Sequence, residues 1–408
     1  MGEAVKLLSV IVLIVILLGI KLDLGLIMFL SSILLGILFQ QSLYKIINIF
    51  YISVVDITTL QLIGIIILVY VLSSILKRTK SMEGIVSSLQ KMVTDYRLIL
   101  FFIASFLGLI PMPAGAMFSA PLLKEIGEKN HLTPEEIMFS NYWFRHTWEF
   151  VWPLIPGVVL YSSVTGISLR KIMILQFPLS ASAVLIGFFW LYTHLKRNNN
   201  GKIDYKNWGR QLSTLLKSVW SILLIISMVL FFQINLLVAL SVAIILLIIS
   251  HRISAGELKE IIFHDISFKV IVLIVGIMFF KQMLESTHSM SQIAQLFSDI
   301  GINIWVILFS IPFILGFLTG ITVGFVGISF PILMPLMTNG DSLNLSMAVI
   351  AYVAGFIGMM MSPMHLCFAV TIEYLKVNIF KFYKNLFISS LSLAILGFLY
   401  IYFFLQFK

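Results

Sequence analysis

Long apolar runs separated by short polar stretches fill the chain from end to end. They do not alternate with a period of two, which argues against an outer-membrane barrel and for helices. A hydrocarbon core ~30 Å thick takes about 20 apolar residues per helical crossing. On that measure the windows predict crossings near 5–20, 24–40, 57–76, 137–163 and 172–193, then near 215–232, 235–250, 269–284, 346–371 and 380–404. Two further segments fit no simple crossing. The run 98–123 is interrupted by Pro111-Met112-Pro113-Ala114-Gly115, and the run 302–337 by Thr319-Gly320-Ile321-Thr322-Val323-Gly324. Tandem Pro and Gly free backbone groups that lipid cannot satisfy, so both segments predict re-entrant hairpins with their tips inside protein or beside a watery cavity. The expected fold class is an all-α polytopic membrane protein with about ten transmembrane helices and two re-entrant helical hairpins.

The second half of the chain echoes the first. An offset of 208 residues lays Leu76, Thr79, Ser81 and Met82 on Leu284, Thr287, Ser289 and Met290, and Gly108 on Gly316. Beyond the hairpin tip an offset of 210 pairs Ser119, Pro121, Tyr142 and Pro153 with Ser329, Pro331, Tyr352 and Pro363. The prolines carry this comparison, because the chain has only 11 and two of them recur. The expected organisation is a first repeat over 1–197 (hairpin 98–123, broken helix 137–163), a linker at 198–210, and a second repeat over 211–408 (hairpin 302–337, broken helix 346–371). Each copy also carries an amphipathic segment, near 81–92 and 289–299. Five crossings per copy is an odd number, so the copies should lie in opposite orientations. Inverted repeats with discontinuous helices at matching places point to a secondary transporter with its site near the bilayer midplane. A duplicated scaffold without transport activity is the alternative.

Composition sharpens this picture. Hydrophobic residues make up 60% of the chain and charged residues 11%, against roughly 25% charged in a soluble domain; with a mean hydropathy of +1.06, a soluble fold is excluded. The net charge of +9 sits in short loops, with Lys and Arg gathered at 77–97, 124–129 and 196–210. Such clustering reads as a topology signal rather than as a nucleic-acid surface. It places the central linker in the cytoplasm and both termini outside. No small-residue cleavage site follows the first apolar run, which is therefore read as a span. The single Cys367 allows no internal disulfide, and no spaced His/Cys cluster suggests a metal, so no cofactor is expected. Neither His-Glu-x-x-His nor Gly-x-Ser-x-Gly occurs, so no catalytic residue and no enzyme activity are expected.

Intramembrane charge concentrates in Asn141-Tyr-Trp-Phe-Arg145-His146-Thr-Trp-Glu149-Phe-Val-Trp152-Pro153. Thr133-Pro134-Glu135-Glu136 predicts the start of this helix, with Thr as cap, Pro in the first turn and Glu136 closing a capping box. At ~1.5 Å per residue Arg145 lies roughly 18 Å beyond that start, deep in the core. Two readings stay open. Arg145 and Glu149 can neutralise each other at i,i+4; or Arg145, with Asn141 and His146, binds an anionic substrate while Glu149 couples a proton or Na⁺. The second copy has Gly355, Phe356 and Met359 at the places of Arg145, His146 and Glu149, so the shared architecture does not require the charge.

In the second broken helix, Ser362-Pro363-Met364-His365 disturbs the backbone near Met359–Met361, whose carbonyls can ligate Na⁺ or a substrate hydroxyl. His365 can carry a coupled proton. The tips supply Gly115 and Ser119 in one hairpin and Thr319, Thr322, Gly324, Gly327 and Ser329 in the other. The helix N-termini that follow can direct N–H groups at an anion; close helix packing is the alternative use of the glycines. Candidate substrate contacts are thus Gly115, Ser119, Asn141, Arg145, His146, Thr319, Thr322, Gly324, Ser362 and His365. Candidate ion-coupling groups are Glu149, His365, Thr319 and Ser362, and the helix breaks are Pro111, Pro113, Pro153 and Pro363.

This pattern resembles the ion transporter superfamily of citrate, gluconate, dicarboxylate, arsenite and sodium/proton carriers. Within it, Gly108-Leu-Ile-Pro-Met-Pro-Ala-Gly115, Asn141 to Glu149 and Ser362-Pro-Met-His-Leu-Cys367 are similar to a prokaryotic integral membrane family. The resemblance implies a scaffold domain and a mobile domain of hairpins and broken helices that moves as an elevator, in a homodimer in the inner membrane of a prokaryotic cell. The dicarboxylate branch carries Ser-Asn-Thr at its tips; here Ser140-Asn141 lies on the helix and is followed by Tyr142. The expected partners are a small-molecule anion and the lipid bilayer, with no nucleic acid.

Overall fold

A computed structural model describes residues 3–110, 115–196, 207–287, 302–339 and 342–405. Within them the chain is mostly helical, with a two-residue β pair, Thr338–Asn339 against Ser342–Leu343, as the one other regular element. In the first half α1 (Glu3–Gly19), α2 (Leu24–Leu38), α3 (Leu43–Val55), α4 (Ile57–Arg78) and α5 (Ser81–Met92) lead to a helix pair, α6 (Tyr96–Gly108) and α7 (Ala116–Lys129). An interrupted helix follows, α8 (Pro134–His146) and α9 (Pro156–Thr165), and then α10 (Leu169–His194). The second half runs α11 (Trp208–Leu230), α12 (Leu236–His251), α13 (Ala255–Glu260), α14 (Phe268–Ser286), the helix pair α15 (Ile304–Thr319) and α16 (Thr322–Met337), the interrupted helix α17 (Leu345–Met360) and α18 (Leu366–Leu375), and α19 (Ile379–Tyr400).

Short polar residues start these helices, as the orphan N–H groups of a first turn require. Asp95 caps α6 and Asn303 caps α15, while Ser168 caps α10 and Asn378 caps α19. These pairs stand at the offsets of 208 and 210 found in the sequence. So do the left-handed residues that end α9 and α18, Gly166 at φ 72° and Lys376 at φ 54°. Packing is reciprocal as well: α4 lies on α12 and α14 on α2, α9 on α16 and α18 on α7, while α10 and α19 pack on each other.

The interrupted helices form the centre. Every residue of α8 from Ile137 to His146 is buried, as is every residue of α17 from Ala348 to Met360. A helix covered all round has no polar stripe to show in its sequence. Tyr161, Tyr352, Phe325, Phe330 and Phe150 interlock between them. The periphery is the reverse: α10 exposes 73% of Phe189 and α19 exposes 87% of Phe380, a surface that only lipid or another apolar body accommodates.

α4, α10, α11 and the stretch Ile379–Phe404 are long and apolar enough to cross a membrane. A fifth span results if Ala255–Asp265 and Phe268–Ser286, bent by 57°, act as one. The remaining apolar helices are shorter, among them α1, α2, α6 and α12. The chain is thus a polytopic helical membrane protein.

Three local expectations change. α3 stands between the crossings expected at 24–40 and 57–76, where the apolar pattern marks no separate element; Ser42 caps it by accepting from Lys45 N–H. The break in the first interrupted helix begins at Thr147, well before Pro153, because the regular helix already ends at His146 and resumes with Pro156 in its first turn. Finally, the carbonyls of Met359 to Met361 are occupied by protein donors: Ser362 N–H (3.1 Å), the Tyr142 hydroxyl (2.8 Å) and the Tyr383 hydroxyl (3.0 Å) respectively. Pro111, Pro113, the segment 289–299 and the linker at 198–206 lie outside the described residues.

Candidate functional site

The capping box that opens α8 is complete, with Glu136 N–H donating to Thr133 Oγ1 and Thr133 N–H donating back to Glu136. From that fixed start the helix carries Asn141, Arg145 and His146 into the centre. Tyr142 ties α8 to the other interrupted helix by donating to the Met360 carbonyl, and Tyr352 on α17 answers by donating to the Glu149 carbonyl at 2.7 Å. Two tyrosines at equivalent places thus clamp the two breaks across one another.

Both hairpins end at this crossing. Gly115 directly precedes α7 and lies so close to Arg145 that a Cβ there would overlap the guanidinium. At the tip of the other hairpin, Gly320 (φ 63°) lies against the backbone of Met364 and His365. The Thr322 hydroxyl, at the start of α16, donates to Glu149 Oε2 and lies 3.2 Å from the Met359 sulfur.

Arg145 and Glu149 do not pair with each other among the described residues. The helix unwinds after His146, so the i,i+4 geometry that would bring them together is lost. Glu149 turns to Thr322, with its Oε1 3.8 Å from His146 Nε2. Arg145, only 6% exposed, keeps Nη1 without a hydrogen-bond partner among the described residues. The intrahelical neutralisation reading is therefore replaced by a buried guanidinium with an open donor. One turn earlier on the same helix, both amide atoms of buried Asn141 also lack partners among the described residues.

The two hairpin helices meet these charges unequally. Among the described residues neither α7, preceded by Gly115, nor α16, preceded by Ile321, has a side-chain cap. A helix N-terminus carries about half a positive charge and favours an anion. At α16 the protein supplies one in Glu149. At α7 the neighbouring charge is a cation, Arg145, whose Nη1 has no hydrogen-bond partner among the described residues.

His146 and His365 also meet here, although nothing in their spacing pairs them. Their Nε2 atoms are 3.0 Å apart, and His146 Nδ1 lies 2.6 Å from the Tyr142 carbonyl. Cys367 joins them, with one ligand atom from each of the three lying within 4.8 Å of the others. The sequence holds no spaced His/Cys motif, yet these three residues, far apart in sequence, converge where the two breaks cross.

The other candidates shape the backbone. Thr319 donates to the Leu315 carbonyl at 2.7 Å, Ser329 to Phe325 at 2.5 Å, and Ser119 reaches Ala116 at 3.5 Å, each within its own helix. Ser362 Oγ accepts from Met364 N–H at 3.1 Å and rounds the break. Gly324 admits the Thr319 side chain and Gly327 admits Ile277. Trp143 stacks on Phe139 and donates to the Ala183 carbonyl, a packing role. A separate cleft of about 1270 Å³, lined by Gln61, Ser162, Ser168, Arg170, Lys171 and Asn344 among others, contains none of the central charged residues.

A family model described as "Protein of unknown function (DUF401)" matches residues 3–403. The chain belongs to this DUF401 family. No curated protein matches it.

Proposed function

We propose that this DUF401 protein is a secondary active transporter of a small organic anion, a carboxylate or sugar acid, coupled to H⁺ or Na⁺. The observation that carries the reading is the buried Arg145 guanidinium, with Nη1 unpartnered among the described residues, facing the uncapped start of α7 at Gly115. A buried guanidinium donor left without an acceptor is costly, and an anion placed there satisfies the open Nη1 and the helix N-terminus together. Glu149, on Thr322 and near His146, is the nearby group able to exchange a proton as the site loads and empties.

The rest of the proposal builds on the repeat. Two five-crossing copies with opposite orientation, each with a hairpin and a broken helix, give a midplane site open to either side in turn. The resemblance to the ion transporter superfamily adds elevator motion of the hairpin domain, a homodimer, and the inner membrane of a prokaryotic cell with both termini outside. A cation/proton antiporter of the same build is the second reading, favoured by the His146, Glu149 and His365 cluster.

Proteoliposomes with an imposed H⁺ or Na⁺ gradient test the proposal. Gradient-driven uptake of a carboxylate, lost in Arg145→Ala while reconstitution is unchanged, is the expected result. Full uptake by that variant contradicts the assigned role of Arg145, and gradient-driven cation flux without any organic solute selects the antiporter.

A further inference from the structure

We infer that His146, His365 and Cys367 form a site for one transition-metal ion of the Zn²⁺ class, which ties the two interrupted helices together at their crossing. The inference goes beyond the anion reading and does not rest on it.

The geometry begins with the two imidazoles. Their Nε2 atoms lie 3.0 Å apart, a contact in which one ring can serve the other only as donor to acceptor. A metal ion accepts both lone pairs instead. With metal–nitrogen bonds of about 2.0–2.1 Å, the nitrogens of a tetrahedral site stand roughly 3.3 Å apart. The rings need to part by only a few tenths of an ångström on that estimate. The Tyr142 carbonyl accepts from His146 Nδ1–H at 2.6 Å, which leaves Nε2 as the unprotonated nitrogen that a metal can bind. An outer hydrogen bond of this kind fixes tautomer and direction in metal-bound histidines.

Cys367 completes a third corner, with one ligand atom from each residue within 4.8 Å of the others. The sulfur binds as thiolate, so loading releases its proton. One thiolate with two imidazoles suits Zn²⁺, Co²⁺ or Cu⁺ and disfavours Mg²⁺ and Ca²⁺, which take oxygen ligands. Glu149 Oε1, 3.8 Å from His146 Nε2, stands within reach of the fourth position. Both rings are buried, at 3% and 6% exposure, so the ion would sit in a dry shell. The ligands come from segments on either side of the chain's midpoint, and the bound ion would hold the breaks in one mutual arrangement.

The full-length protein in detergent, stripped with chelator and titrated with Zn²⁺ or Co²⁺, tests this. One ion per chain, a thiolate-to-cobalt charge-transfer band, and protection of the single cysteine from a small permeant maleimide are expected. Cys367→Ser should lose the band, and both Cys367→Ser and His365→Gln should weaken Zn²⁺ binding by at least about tenfold. If a variant does not fold, the band and the maleimide protection in the unmodified chain still decide. Cobalt binding without the thiolate band, or Zn²⁺ affinity unchanged in a folded Cys367→Ser protein, overturns the inference.

Discussion

Gly115 and Arg145 show how narrowly the candidate site is drawn. A methyl group at Gly115 would overlap the guanidinium, whereas one at Gly209 would meet nothing within 4 Å. Gly115→Ala is therefore predicted to push the Arg145 guanidinium aside and weaken anion binding more than it lowers the unfolding temperature, and Gly209→Ala to leave both nearly unchanged. Thermal unfolding of the two variants side by side, with and without the anion, checks this. Glu149 makes a complementary case. Glu149→Gln keeps an oxygen to accept from Thr322 but removes the charge, so anion binding should persist while flux driven by a proton gradient is lost; retained proton-driven flux would remove Glu149 from coupling. Arg145 and Glu149 are both conspicuous in the sequence as charges in an apolar setting. Their separation is not, because it depends on α8 ending at His146, and no Pro or Gly marks that end.

At the level of elements, the reciprocal contacts make quantitative demands. A Cβ on Gly108 would overlap the Arg145 carbonyl oxygen, and one on Gly316 would overlap the Gly355 carbonyl oxygen, at equivalent places in the two halves. Gly108→Ala and Gly316→Ala should therefore be similarly damaging, each by about 2 kcal/mol or more, since backbone cannot step aside as a flexible side chain can. Tyr142→Phe and Tyr352→Phe each remove one cross-break hydrogen bond and should cost about 1 kcal/mol apiece, measured as the shift in unfolding temperature. The interruption between α15 and α16 at Gly320 and that between α17 and α18 at Pro363 are legible in the sequence because Gly and Pro break otherwise apolar runs. α3 is not, since its thirteen residues carry no such mark. The His146, His365 and Cys367 cluster is hidden for a different reason: the fold, and not the spacing, brings its members together.

For the whole molecule, apolar composition announces the membrane, and the exposed rings of Phe189, Phe231 and Phe380 are its counterpart in the structure. The proposed orientation rests on the basic loops. In a Cys367→Ser background, the single-cysteine variants Lys80→Cys and Arg170→Cys are predicted to label from opposite sides, Lys80→Cys from the cytoplasm; labelling from one side would refute the inverted arrangement. Which crossings pack together is beyond the sequence, because pairs such as α2 with α14 join distant segments through leucines and isoleucines that abound everywhere. The central claim concerns the open Arg145 donor beside the start of α7, and ligand-induced stabilisation tests it most directly. Screening carboxylates and sugar acids by thermal shift, at varied pH and with or without Na⁺, should find a ligand that stabilises the unmodified protein by about 2.7 kcal/mol at a hundred times its Kd, and should find no such shift in folded Arg145→Gln. Equal stabilisation of both proteins by the same anion would contradict the account.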